Sequence, residues 1–171
     1  MAAGCRRAVP GHRYRGGPAI ETHPFTRLTL LAAGVTDPYN QAALATAAAL
    51  FGTTCVPLDP GDDPADLRRH YDLVLALETG PGATDLFSYH LPRSGSVALL
   101  VGNERRGLRP RLLAAADARL AIPMRGRGEL SLNVAGAAAV ALSQLHLATG
   151  TARVRRGQGR VPAVVLLAPR D

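Results

Sequence analysis

The stretch that most limits what this chain can become runs from Gly95 to Leu145: GSVALLVGNERRGLRPRLLAAADARLAIPMRGRGELSLNVAGAAAVALSQL. Ser96 to Val101 is a short apolar run rich in Val and Leu, the pattern of a buried strand. It stops at Gly102-Asn103-Glu104-Arg105-Arg106-Gly107. Two glycines and an asparagine there accept backbone angles closed to most residues, so the chain can turn tightly against something flat. Leu108 to Ala116 reads as a short helix, and Arg119 to Ile122 as a second short strand stopped by Pro123. After a Gly/Arg loop, Ser131-Leu132-Asn133 opens a long Ala-rich helix, with Ser131 suited to the N-cap.

The preceding residues supply the rest of a domain. Arg27 to Ala33 reads as a first strand, Tyr39 to Phe51 as a helix of small residues ended by Gly52, and Thr53 to Leu58 as a second strand. Asp63 to His70 reads as a short helix with Asp63 as cap and Pro64 in its first turn. Asp72 to Leu77 is a third strand, and Asp85 to His90 is ambiguous. This β-α-β-α-β order predicts an α/β fold, a mostly parallel sheet covered by helices on both sides. The expected organisation is a basic N-terminal tail over 1–24, a domain over 25–150 and an Arg-rich C-terminal tail over 151–171.

Three phrases in this order resemble the SpoU/TrmH branch of the SPOUT methyltransferases: a strand leading into Gly-Asn-Glu-Arg-Arg-Gly-Leu, then Ile-Pro-Met, then Ser-Leu-Asn-Val before an Ala-rich helix. The resemblance implies a C-terminal trefoil knot whose loops hold S-adenosylmethionine (SAM), a homodimer, and methylation of a ribose 2′-hydroxyl in tRNA or rRNA. It implies Asn40, Glu104, Ser131 and Asn133 as catalytic residues, and Arg105 joins the catalytic set as a replacement for an arginine that the family has and this chain lacks. For the cofactor it implies Leu77, Glu78 and Thr79 at the end of the third strand, and Val101, Gly102, Asn103, Gly107 and Leu108 around the glycine loop. Ile122, Pro123 and Met124, then Leu132 and Asn133, complete that set.

The match weakens after the first strand, where the family reads roughly Asn-x-Gly-x-x-x-Arg. Asn40 agrees, but Ala42 replaces the glycine and Thr46 the arginine. A ribose hydroxyl is a poor nucleophile until its proton is removed or polarised, and removing a positioned acid–base group loses about 10²–10⁴-fold in rate. Thr46 carries no positive charge, so Arg105, Arg106 or an arginine from a partner subunit would have to replace the missing one. The alternatives are a fold that binds RNA or SAM without transferring a methyl group, or one that methylates a base or small molecule.

Other chemistries lack their signatures. No Gly-x-Gly-x-x-Gly follows the first strand, no Gly-Lys-Ser/Thr follows the glycine loop, and no Gly-x-Ser-x-Gly elbow surrounds Ser131. No metal is expected, because the histidines are scattered singly and Cys5 and Cys55 lie far apart. The same cysteine usage fits a reduced, cytoplasmic setting, and no apolar run reaches the roughly 18 residues of a membrane span. The 20 basic side chains are all arginine, giving a net charge of +7. Such a surface attracts polyanions, and arginine's planar fork suits phosphate in particular.

Overall fold

The computed structural model describes residues 27–59, 61–92, 94–126 and 131–148. The expected tails at 1–24 and 151–171 lie outside the described residues.

Six strands form one parallel sheet: β1 (Arg27–Ala33), β2 (Thr54–Leu58), β3 (Leu73–Leu77), β4 (Thr84–Asp85), β5 (Ser96–Val101) and β6 (Ala118–Ala121), in the order β2-β1-β5-β3-β6-β4. The helices are α1 (Pro38–Leu50), α2 (Pro64–His70), α3 (Pro110–Ala115) and α4 (Val134–Ala148), with one 3-10 turn at Leu86–Ser88. The α/β expectation therefore holds, as do the strands on either side of the glycine loop. The ambiguous segment at Asp85 resolves into the end of β4 and the 3-10 turn, where the Asp85 side chain accepts the Phe87 N–H.

A parallel strand at the centre of a sheet is covered on both faces, which is why β5 reads as a continuous apolar run. Its alternate residues serve opposite layers. Leu99, with Leu30 and Leu75, packs under Leu44 of α1 and Leu142 and Leu145 of α4. Leu100, with Leu31 and Val74, packs under Leu67 of α2 and Leu112 of α3. Helices α1 and α4 lie side by side on the first face, α2 and α3 on the second.

Local chemistry sets the element ends. Asp37 and Asp63 each cap a helix that begins with proline, accepting the N–H two residues on at 2.9 Å. At the opposite end of the sheet the Asp72 carboxylate accepts both the N–H and the hydroxyl of Ser96, at 2.7 and 2.8 Å. Those bonds hold its pKa below the ordinary value.

One capping expectation is corrected. Helix α4 starts at Val134, and it is Asn133, not Ser131, whose side chain caps it, Oδ1 accepting the Ala135 N–H at 2.8 Å. Ser131 lies two residues too early to reach the unpaired N–H groups of the first turn, and it is exposed.

Candidate active site

In this order of strands the carboxyl ends of β2, β1, β5 and β3 stand next to one another. Ligands of parallel sheets bind outside that edge, where successive connections leave in opposite directions. The glycine loop leaves the end of β5 there.

Its shape follows from its glycines and one asparagine. Gly102 is buried with backbone pressed against it: a Cβ at that position would lie 2.3 Å from the Gly107 carbonyl carbon and 2.5 Å from the Leu108 nitrogen. Two backbone bonds between Asn103 and Gly107, at 3.1 and 2.8 Å, close the loop on itself. Gly107 sits at φ +63°, and a Cβ there would meet the Glu78 carboxylate at 2.5 Å. Asn103 holds the interior. Its Oδ1 accepts the N–H groups of Arg105 and Arg106, and its Nδ2 donates to the Gly34 carbonyl at 2.9 Å. On the other side Glu78, just past β3, accepts the Leu108 N–H at 2.8 Å. The loop is thus tied to β1 by Asn103 and to β3 by Glu78.

Three residues far apart in sequence meet beside it. Asn133 Nδ2 donates to Asn40 Oδ1 at 2.8 Å, and Asn40 Nδ2 donates to Glu104 Oε1 at 2.7 Å. The second Glu104 oxygen accepts from Asn103 at 3.2 Å. Since Asn133 Oδ1 is occupied by the helix N–H, its amide group must be the donor, and the orientation of Asn40 follows. Asn40 is 8% exposed, and it is the buried polar residue among the described residues. Such a network restrains the direction of the exposed Glu104 carboxylate, because each of its two oxygens accepts from an asparagine amide.

Two cavities share this loop. The larger, of about 690 Å³, is lined by Asn40, Glu104, Arg105 and Asn133, so four of the five expected catalytic residues come together there. The smaller, of about 370 Å³, is lined by Leu77, Glu78, Val101 and Gly102 together with Val134 and Ala137 of α4. Asn103, Glu104, Arg105 and Gly107 touch both. Thr79, Leu108, Ile122, Pro123, Met124, Ser131 and Leu132 line neither. Leu108 instead contributes its N–H to Glu78 and its side chain to the core, and Ile122 packs against the α1–α4 layer. Met124 and Leu132 stand 46% and 43% exposed. Thr46 is exposed on α1, lines neither cavity, and turns its hydroxyl back onto the Ala42 carbonyl at 2.9 Å.

Sequence reasoning gave no site role to Asp37, Asp59, Asp62, Arg109 or Arg111, all of which line the larger cavity. Their positions just after strands β1, β2 and β5, where α/β sites open, were the available signal.

Comparison with known proteins agrees with this geometry. The family model described as SpoU rRNA Methylase family matches residues 62–143. No curated protein matches the sequence. Among solved structures, a putative RNA methyltransferase of the TrmH family from Porphyromonas gingivalis is 26% identical with a TM-score of 0.59, the match covering 74% of this chain and 62% of that one. An AdoMet-bound rRNA methyltransferase from Sinorhizobium meliloti is 25% identical with a TM-score of 0.61, covering 71% of this chain and 57% of that one. The chain therefore spans less than two thirds of the length of either relative. A structure described as giving insights into 2-OH methylation of C/U34 on tRNA shares the fold at 22% identity and a TM-score of 0.62, covering 76% of this chain and 94% of that one. The family match over residues 62–143, the common fold and the three sequence phrases all point the same way, to a likeness with the SpoU/TrmH RNA methyltransferases.

Proposed function

We propose that the protein is a cytoplasmic, homodimeric enzyme that methylates a ribose 2′-hydroxyl of tRNA or rRNA with SAM as donor. The observation that carries this reading is the pair of cavities meeting at one loop, one lined by four of the five expected catalytic residues and the other by six of the thirteen expected cofactor residues. The smaller cavity suits a nucleoside-containing cofactor. Leu77, Val101, Val134 and Ala137 give it an apolar wall, Glu78 adds a carboxylate, and Gly102 keeps the backbone bare. Bound there, SAM supplies a methyl group made electrophilic by its sulfonium. The chain's own task is then to place the acceptor hydroxyl in line with it, which is mainly a matter of positioning. Glu104, held by Asn40 and Asn103, is the fixed point against which a ribose is oriented. Arg105 and Arg106 bring positive charge to the same cavity, replacing what Thr46 lacks. Ser131 and the Ile122–Met124 segment, which line neither cavity, belong to the proposed set through the sequence resemblance. The trefoil knot belongs to this reading, supported by the return of the chain from β6 to Asn133 beside α1.

Labelled methyl transfer from SAM to total RNA, followed by nucleoside analysis, tests the proposal. A 2′-O-methylated nucleoside is the expected product. A base-methylated nucleoside, or SAM binding with no transfer, overturns it. One observation favours the second of those outcomes: Thr46, at the position of the family's arginine, is committed to its own helix. If Arg105 and Arg106 do replace that charge, Arg105→Ala and Arg106→Ala lower turnover by about 10²-fold. SAM affinity then changes little, because the lost contact is made mainly in the transition state.

The dimer is supported by α1. None of its 13 residues is charged, in a chain otherwise rich in arginine. Its outward face carries Tyr39 at 86% exposure, Ala42, Ala43, Thr46, Ala49 and Leu50 at 77%. An exposed uncharged stripe of this kind marks an interaction surface. Light scattering at micromolar concentration is expected to give twice the chain mass, and Ala43→Arg to give the monomer. A wild-type monomer removes the dimer and any shared active site.

A further inference from the structure

The larger cavity has two walls of opposite charge, and the sheet order dictates which is which. Asp37 follows β1, and Asp59 and Asp62 follow β2, on one side of the cavity. Arg105, Arg106, Arg109 and Arg111 come from the loop after β5 and the helix it leads into, on the other. The network of Asn40, Glu104 and Asn133 lies on the same cavity and its Glu104 belongs to the loop that carries the first two arginines. Asp37 and Asp62 each give one oxygen to a backbone N–H, at 2.9 and 2.7 Å, which fixes the carboxylates in place without neutralising them.

Resting on the reading of the protein as an RNA methyltransferase, we propose that this cavity receives one RNA nucleotide whose base carries an amino group, with Arg105 and Arg106 on its phosphate and Asp37 and Asp62 on its base edge. The volume of about 690 Å³ is that of a small-ligand site, which runs from about 300 to 1,000 Å³. Arginine is matched to phosphate by its planar fork. A carboxylate can only accept hydrogen bonds, so an acidic wall favours a base edge with several donors. Cytosine and adenine present an exocyclic amino group there, and guanine an amino group beside a ring N–H. Uracil offers a single N–H between two carbonyl oxygens, which the carboxylates repel. The acidic wall thus selects cytidine, guanosine or adenosine as acceptor and rejects uridine.

The test is titration of the full chain with CMP, GMP, AMP and UMP, followed by calorimetry. UMP is expected to bind at least about tenfold more weakly than the best of the other three, the discrimination typical of one good base-edge contact. The Asp37→Asn/Asp62→Asn double variant is expected to bring UMP within about threefold of the others, since asparagine keeps the acceptor that each backbone N–H needs but not the charge. Thermal melting confirms that this variant folds. Arg106→Gln is expected to weaken all four nucleotides alike. UMP binding as tightly as the others, no binding of any of the four, or unchanged selectivity in the double variant overturns the inference. Methyl transfer is scored separately. Transfer to RNA without base selectivity overturns this inference and leaves the methyltransferase reading standing. Base selectivity without transfer supports this inference and overturns that reading.

Discussion

Gly102→Ala is expected to abolish SAM binding and to destabilise the domain by about 3 kcal/mol, the upper end of ordinary overpacking costs. The methyl group would have to fit where the Gly107 carbonyl carbon, the Leu108 nitrogen and the Gly107 oxygen already stand, at 2.3, 2.5 and 2.6 Å. All three are backbone atoms, so no side chain can rotate aside. The loop must open, and with it go the Asn103–Gly107 bonds and the Glu78–Leu108 tie. Because domains have only about 5–15 kcal/mol of net stability, the effect should be plain in a urea titration. Gly136→Ala is the control. That glycine lies in α4 with nothing within 4 Å of an added Cβ. Relieving a helix-interior glycine should leave stability equal or raise it by roughly 0.5–1 kcal/mol. Equal urea midpoints for Gly102→Ala and wild type would show that the loop does not have the tight packing described above.

The second large effect is expected from Asn40→Asp. This change keeps the shape of the side chain and the oxygen that accepts from Asn133. It replaces the donor to Glu104 with a carboxylate oxygen, 2.7 Å from Glu104 Oε1 in the wild-type geometry. Two carboxylates that close cannot both ionise without strong repulsion, so the pair retains a proton and titrates as a unit, with one ionisation raised. The sign follows from proton binding. Above the unfolded-state carboxylate values the folded variant holds a proton that the unfolded chain has released, so stability falls as pH rises. In mild acid the shared proton can replace the lost N–H donor, and the variant approaches wild type. At alkaline pH it should be less stable by about 2 kcal/mol, within the cost of an unsatisfied buried polar group. The measurement is the difference in melting temperature between variant and wild type across pH. A difference that does not grow with pH would show that Asn40 and Glu104 are not hydrogen-bonded in solution.

What the sequence made legible depended on the kind of signal. Strands β1, β3 and β5 were readable because burial on both faces leaves an uninterrupted apolar run, α1 from its run of small residues ended by Gly52, and α2 because Asp63-Pro64 marks its start. The order of the sheet was not readable, since nothing in residues 96–101 says that they pair with both β1 and β3. The cap on α4 was misplaced because Ser131 and Asn133 are both good capping residues by type. Only the local geometry shows that Asn133 reaches the Ala135 N–H. Glu104 and Asn133 stand in the three phrases and Asn40 in the segment after the first strand, and the structure links them through Asn40, which donates to Glu104 and accepts from Asn133. The acidic wall was not legible because Asp37, Asp59 and Asp62 match none of the phrases. That a turn aspartate also faces a cavity depends on which strands are neighbours, which is a property of the sheet and not of the local sequence.

The position of β5 has a consequence for how the chain acquires its structure. This strand lies between β1 and β3, yet it follows both in sequence. During synthesis, β1 and β3 therefore emerge with no strand between them, and each carries an unpaired edge until residues 96–101 arrive. Sheets closed by such distant pairings form slowly, and their waiting edges are exposed to aggregation. Refolding from urea should accordingly show a single late step that reports pairing of β5. Nascent chains halted before residue 96 should remain protease-sensitive in β1 and β3, and protection of both should appear together once β5 has been made.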